Sequence, residues 1–588
     1  MSLYEIGSYT LGNYDYTLYQ EASSEPEDQS IRVLDHYQRK GTPSFSWTRT
    51  HLPHDVSVHF LDRDGSLFLR INDAKDQEFL IVIEENDAEI FRGWYVPEVD
   101  ERSLLQRDVR LKLRFSDGVS LLKKHDWPHD IYTLTELFRE IFDKLGYQLP
   151  INLTIDFEEF GVGTGNTLDN HYTDLFGFLH HNPEASYYDV LIQCLQFLNA
   201  WCWQEDGKWY VCQFGHRDTS IMYQIATDGT ARTLFNDITT TISTYLSPIR
   251  WKKIKGLKRV KRSVIGIETD AELINSEFED LNDDGTLPKH WSVDFGLIQI
   301  ADSGTDEGAV LQHNSSTVSV LQPVYRMVYG RGSVSVKFRV RFEMINLSGI
   351  QSVTVGQVIL YNNNPTGPGS WEKQYLNESG LSSTPSYVSV SYEIPSGNTD
   401  PTVTVDLEVE VSATIPINGL VWAEIRTISQ NDNDVDTSSG WYMRYYEVSS
   451  SFQPAFGGQV NSFYEVSSEV TGNDRGEDFN LEVFLGDNRE IKHKSDFYYF
   501  DGTSWNEATT WKSSNHSTGV DLNQLIADNF LRKAGASLDL IKMHVKYDED
   551  VSLINLLTMN HFGSDAEYIP FYIERTASYR KQKLYVIE

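Results

Sequence analysis

The sequence predicts a mainly β, multidomain protein with α+β parts, and three observations carry that reading. Stretches such as SVSVKFRVRF and TVTVDLEVEV alternate apolar and polar residues with a period of two, the signature of strands buried on one face. Aromatic residues make up 13% of the chain, with 32 tyrosines and 13 tryptophans, a bias toward pleated structure and extensive interfaces. The length of 588 residues exceeds what one hydrophobic core supports. About three to five domains are therefore expected. Apolar residues at 40% and charged residues at 23% fit a folded chain rather than a disordered one.

Taken in order, residues 1–120 read as mostly β. FLIVIEENDAEIFRGWYV and RDVRLKLRFSDG supply alternating or continuously apolar strands, and the acidic residues 21–30 read as a surface loop. Residues 121–271 read as an α/β part with connecting strands. Thr133 is an N-cap with Glu136 three positions on. Leu134, Leu137, Phe138, Ile141, Phe142 and Leu145 then recur at helical spacing, and Gly146 ends the helix. Residues 186–213, SYYDVLIQCLQFLNAWCWQEDGKWYVCQ, read as a second helix capped by Ser186, with Asp189 at the capping-box position. Val190, Leu191, Cys194, Leu195, Phe197 and Leu198 form its apolar face. The helix runs into a hairpin that turns at Asp206-Gly207, with Trp201, Trp203 and Trp209 around the turn. Residues 251–262, WKKIKGLKRVKR, are a basic run in an acidic protein. They read as a cationic strand facing acidic surface on a neighbouring domain or subunit, in preference to a nucleic-acid patch or targeting signal.

The character changes over residues 272–452. SVSVKFRVRF places Val334, Val336, Phe338, Val340 and Phe342 on one strand face and Lys337, Arg339 and Arg341 on the other. TVTVDLEVEV does the same with acidic residues outward, and WYMRYYEVSSS, from Trp441, reads as a closing strand. Residues 453–588 return to β segments and a helix that Asp521 caps, with Leu522, Leu525, Ile526 and Phe530 inward and Arg532 and Lys533 in its last turn. The terminal YIPFYIERTASYRKQKLYVIE gives two alternating strands. This order implies a β-sandwich inserted into an exposed loop whose ends lie close together.

Signals for chemistry are sparse. The formal charge is 50 − 85 = −35, which repels a phosphate backbone, so no sequence-specific nucleic-acid binding is expected. The longest apolar run, residues 79–83, is too short to span a bilayer, so no stable membrane insertion is expected. MSLYEIGSYTLGNY lacks the basic start and apolar core of a signal peptide. Cys194, Cys202 and Cys212 fit neither a disulfide framework nor a zinc site and read as buried free thiols. His51 and His54 flank Pro53, which disfavours a shared helical metal site; they and His180-His181 read as surface or loop histidines. Gly161, Gly163 and Gly165 read as a flexible loop, because no strand-to-helix phosphate cradle surrounds them. Three carboxylate groups, Asp156 with Glu158 and Glu159, Asp283-Asp284, and Asp548-Glu549-Asp550, have spacings that any acidic surface would show. With no nucleophile motif either, the expectation is a protein without enzymatic activity, cofactor or metal.

The order of several short motifs resembles a known family. Tyr188, Leu191, Asn199, Asp206, Gly207, Trp209 and Tyr210 stand in one of them. Upstream, residues 115–150 give FSDG, LLK, a helix and LGYQLP; downstream, FYYFDGTSWNEATTW leads into GVDLNQLIADNFLRKAGA. In that order they resemble the baseplate hub (tail hub) proteins of tailed bacteriophages. The resemblance implies two tail-tube-like β-barrel domains, over residues 1–120 and 453–588, beside the α/β domain of residues 121–271. It implies a homotrimer forming a pseudo-sixfold ring that continues the tail tube. The expected partners are the tail tube and distal tail proteins, and a central spike or fibre. The expected location is the virion of a phage, or a phage-derived injection system, after synthesis in the host cytoplasm. Three copies carry 3 × −35 = −105 of formal charge, which suits a repulsive DNA channel as well as it suits solubility.

The middle carries a second resemblance. In NSEFEDLNDDGTLPKHWSVDFG, residues Asn275, Phe278, Glu279, Pro288 and Trp291 match the first strand of jelly-roll β-sandwiches of the carbohydrate-binding-module type. That resemblance implies a host-surface glycan as a further partner. Trp371 and Tyr375, in GSWEKQYLNE on a Gly/Pro/Asn-rich loop, are the candidate sugar-stacking rings; aromatics folding over the sandwich rim are an equal alternative. Glu279 or Asp280 is a candidate ligand to structural calcium by the same analogy. A rival reading is a free-standing glycan-binding adhesin or non-catalytic polysaccharide-binding protein, and a third is a tail-associated lysozyme or peptidase.

Overall fold

The computed structural model describes residues 2–26, 29, 31–62, 65–72, 74–97, 109–127, 132–159, 167–173, 175, 178, 182, 185–214, 222–227, 232–234, 239–241, 245–265, 276–281, 287–289, 291–295, 298–300, 310–313, 319–323, 327–329, 332–344, 349–363, 371–394, 403–415, 421–429, 441–454, 463–470, 477–483, 497–500, 505–508, 510–513, 516–546, 551–553, 556–561, 564–576 and 581–587. It is mainly β and multidomain, as the alternating patterns predict.

β1 (Ser2–Leu11) and β2 (Tyr14–Ala22) form a hairpin. β3 (Val33–Gly41), β4 (His54–Asp62), the short helix α1 (Ser66–Asn72), β5 (Phe79–Glu85), β6 (Ala88–Tyr95) and β7 (Val109–Ser116) follow. Across the sheet the order is β1-β2-β5-β6-β7-β4-β3. Alternation puts Tyr16, Leu18, Val58, Phe60 and Leu113 into one core, which Leu67 and Ile71 of α1 help to fill. The apolar FLIVI run of β5 is buried on both faces: Ile81 and Ile83 belong to this core and Leu80 to the next.

The sheet does not stop at β3. Residues 37–41 pair antiparallel with residues 572–576, and the sheet continues through Lys581–Ile587 and Leu538–Lys546 to Tyr245–Ile254. Gly41 permits the splice: its φ is 76°, and a Cβ there would collide with the carbonyl of Phe571. The first and last strand groups are therefore hydrogen-bonded into one sheet backed by separate cores. The second core gathers Ile541, Met543, Phe571, Ile573, Leu584 and Val586.

Between these groups sits the α/β unit. Helix α2 (Leu134–Asp143) begins with the expected capping box: Thr133 Oγ1 accepts from Glu136 N at 3.1 Å and Glu136 Oε2 from Thr133 N at 2.9 Å. Helix α3 (Tyr187–Leu198) has the same device in Ser186 and Asp189. It ends at Asn199, held in the left-handed region at φ 49°. The hairpin of Ala200–Glu205 and Lys208–Gln213 follows, and Ile151–Thr154 lies parallel to its second strand. Trp209 stacks on Phe142 of α2 at 4.6 Å, joining hairpin and helix in one core. Near the C-terminus, α4 (Leu522–Ala534) is capped by Asp521, whose Oδ1 accepts from Gln524 N at 3.1 Å. Among the described residues no helix is long and apolar enough to cross a membrane.

Two further sheets pack face to face as a sandwich. One centres on Gly349–Asn363 and Val421–Ser429, the other on Gly332–Met344 between Val403–Ile415 and Trp441–Pro454. Val334, Val336, Phe338, Val340 and Phe342 all point into its core. Outward, Arg341 Nε pairs with Asp406 at 2.6 Å, and Lys337 with Glu408 and Glu447 at 3.4 and 3.2 Å. One detail corrects the sequence reading. Phe278 lies not in a strand but just after the turn of residues 276–277, at φ 60°, where it packs on Trp291 at 5.0 Å; the strand begins at Trp291 itself. The anchoring ring matters there, not the pleat. Ile265 stands directly opposite Phe463 in an antiparallel pair, so everything between them leaves and re-enters the fold at adjacent positions.

Candidate functional site

The tryptophan hairpin is where three parts of the chain meet, and its Gln204-Glu205 end is the meeting point. Glu205 and Lys40 of β3 are both buried and pair at 2.5 Å. The other carboxylate oxygen of Glu205 accepts from Ser552 Oγ at 2.6 Å, Leu553 N at 2.8 Å and Trp203 Nε1 at 3.3 Å. Burial pushes the Glu205 carboxyl up, but Lys40 and these donors outweigh it and hold its pKa below the usual value. Next door, Gln204 Nε2 donates to Arg92 O at 2.8 Å and Tyr147 Oη at 3.0 Å, and Gln204 Oε1 accepts from Arg92 N at 3.1 Å. His54 of β4 donates from Nδ1 to Gln204 O at 3.1 Å. Burial, then the Lys40 charge, keep that imidazole neutral by driving its pKa well below 6.5. One strand end thus clamps β3, β4, β6 and residues 552–553 together. At the other end of the same hairpin, around Ala200 and Trp201, Trp47, Thr50, Gln196, Phe214 and Phe530 line a cavity with room for a water molecule.

The basic run divides in two. Its second half, Leu257–Ile265, lies between Phe463–Glu469 and Glu477–Val483. Lys258 and Arg259 reach Glu469 at 4.0 and 3.0 Å, and Lys261 pairs with Glu465. The acidic surface that the sequence called for is supplied by this chain's own later strands. Arg262 turns inward, where it donates to Phe197 O at 2.6 Å and to Asn523 Oδ1 at 3.2 Å. It thereby caps the C-terminal end of α3, where a cation is favoured. Burial pulls its pKa down to about 9, which the Asp521 charge opposes.

The candidate sugar-binding pair is placed differently from the sequence reading. Trp371 and Tyr375 lie in the strand Trp371–Asn377 and not on a loop, because six register pairs with Gly349–Asn363 draw that segment into the sheet. Tyr375 lies on the strand face opposite Leu376 of the sandwich core and is half-buried. The Gly/Pro/Asn-rich residues 364–370 lie outside the described residues. Glu279 and Asp280 sit exposed beside Phe278, and among the described residues no three potential metal-ligating groups converge.

The histidine reading needs correction. His54 is fully buried in β4, and His51 Nε2 contacts the buried Asp117 carboxylate at 3.1 Å, whose same oxygen accepts from His54 N at 2.9 Å. The carboxylate pins the loop entering β4 from inside, which no local pattern announces. Asp156 is also buried, its N–H donating to Gln213 Oε1 at 2.7 Å. The three cysteines are buried and free, and burial pushes the Cys194 thiol up to about 12, away from reactivity. His180-His181, the glycine-rich residues 161–165, Asp283-Asp284 and Asp548-Glu549-Asp550 lie outside the described residues. Sequence reasoning missed Lys40, Glu205 and Arg262. The one hint was Glu205, a carboxylate closing a strand that opens Ala-Trp-Cys-Trp.

No protein-family model matches the chain, and no curated protein matches it. Among solved structures, the 43 kDa tail protein of prophage MuSo2 from Shewanella oneidensis is similar at a TM-score of 0.33 and 6% identity, over 97% of this chain and 98% of that one. The carbohydrate recognition domain of Emp46p, in metal-free form, is similar at a TM-score of 0.17 and 9% identity, over 31% of this chain and 95% of that one. Likenesses this distant carry no argument about what the chain does.

Proposed function

We propose that this chain is a structural protein of a phage virion: a trimeric baseplate hub at the distal end of the tail tube. In this role it links the tube to a central spike or fibre and lines the DNA channel. The inserted sandwich faces outward and touches host glycan through Trp371 and Tyr375. The chain works by shape and interface and catalyses no reaction.

The observation that carries this reading is the arrangement of the blocks bearing the hub-like motifs. They flank the sandwich in sequence, and their strand groups share one sheet, clamped at Lys40, Glu205 and Ser552. The sandwich has its own core and departs from adjacent positions, Ile265 and Phe463, as an appendage would. A formal charge of −35 per copy suits a wall past which DNA slides.

Mass measurement by light scattering, followed by electron microscopy of the purified chain mixed with tail-tube protein, tests the reading. A trimeric ring seated on the tube end is expected. A monomer that ignores the tube and is strongly retained on polysaccharide would instead establish the adhesin reading. Clearing of cell-wall substrate in a zymogram would refute the non-catalytic role.

A further inference from the structure

Among the described residues, the first half of the basic run has no partner of the kind its second half enjoys. The strand Tyr245–Ile254 ends the large sheet: it pairs with Leu538–Lys546 on one side, and among the described residues nothing pairs with the other. Arg250, Trp251, Lys252, Lys253 and Lys255 are all exposed, Trp251 at 50%. Among the described residues no carboxylate lies within ion-pair distance of these cations. Arg250 faces Lys542 across the strand pair, a like-charge juxtaposition that costs stability in isolation. Asp539 stands opposite Lys253 in register but forms no ion pair with it.

We propose that this strand is the docking edge for a second copy of the chain, which lays carboxylate-bearing surface along it. The inference rests on the trimeric reading above and says where the trimer is joined. The molecule contains its own template. Two residues further on, Leu257–Ile265 bears a like group of cations, Lys258, Arg259 and Lys261, and is paired with a strand whose Glu465 and Glu469 neutralise them. Equivalent chemistry satisfies the open edge, and a copy carrying a formal −35 is rich in it. Copies so acidic repel one another, so a cationic seam at the contact is what association requires.

The competing explanation is protection. Lysines, a proline and an irregularity blunt exposed edges against aggregation, and this strand has Pro248 within a register break between Leu246 and Arg250. A merely guarded edge does not present a half-exposed tryptophan beside Ile249, itself 36% exposed. Trp and Arg are among the residue types that dominate interface energetics, and this strand exposes one of each. The contact is heterologous, since edge and carboxylate surface are different patches, and such contacts close into rings.

The experiment compares the full-length wild type with Arg250→Glu/Lys252→Glu/Lys253→Glu and with Trp251→Ala by sedimentation equilibrium. Circular dichroism and thermal melting verify that each variant folds. The wild type is expected to be a trimer, and both variants to dissociate at concentrations about 100-fold higher or more. A trimeric wild type with equally trimeric, folded variants overturns this inference and leaves the hub reading standing. A monomeric wild type overturns both.

Discussion

At the scale of single residues, the Lys40–Glu205 pair is the most consequential contact in the molecule. Both groups are out of water, and each supplies the other's nearest opposite charge, with Asp206 3.9 Å from Lys40 as a more distant one. Glu205→Gln leaves the buried ammonium with only the half-exposed Asp206 carboxylate, at 3.9 Å, as counter-charge and should cost about 3 kcal/mol in chemical denaturation. Adding Lys40→Met to that variant should recover much of the loss, since a neutral pair of similar volume needs no compensation. The same contact sets an acid limit. Because the folded carboxyl is held below its unfolded value of 4.5, its contribution is complete above that pH and is lost as pH falls through the folded value. A Glu205→Gln protein whose stability matches the wild type would show that the clamp is ornamental.

At the scale of elements, the two capping boxes show how locally a helix start is specified. In α3, Ser186 Oγ accepts from Asp189 N at 3.3 Å, while Asp189 Oδ2 accepts from Ser186 N at 3.0 Å. Ser186→Ala should destabilise the fold by about 1 kcal/mol, read as a lower denaturant midpoint at constant slope. A changed slope would mean that the helix start is coupled to a wider opening. Both caps, the Asp206-Gly207 turn and the inward faces of the sandwich strands were legible in the sequence because their partners lie a few residues away. Trp371 and Tyr375 were legible as aromatic but not as strand, since the glycines and prolines just before them obscure a pairing with the immediately preceding strand, Gly349–Asn363.

At the scale of the whole molecule, the insertion is the testable feature. Because Ile265 and Phe463 are cross-strand neighbours, removing residues 272–452 and rejoining the chain should leave the rest folded. The melting temperature of the excised protein is expected within about 4 °C of the parent's, since no core is opened. An insoluble or unfolded product would mean that the sandwich buttresses its flanks. If the trimer survives excision, its contacts lie outside the sandwich, as an edge at Tyr245–Ile254 requires.

The sequence alone determined the mainly β class, the three capped helices, the buried free thiols and the cationic strand. Each is written in periodicity or in residues close along the chain, where sterics and local hydrogen bonds act. Only the tertiary structure decided which segments meet: Lys40 with Glu205 across 165 residues, β3 with a strand near the C-terminus, Arg262 with the end of α3. Such pairings arise when separate apolar faces are buried together, and a polar residue that joins them leaves no periodic trace. The open edge at Trp251 belongs to the same class, since a strand is unpaired only relative to everything that might have covered it.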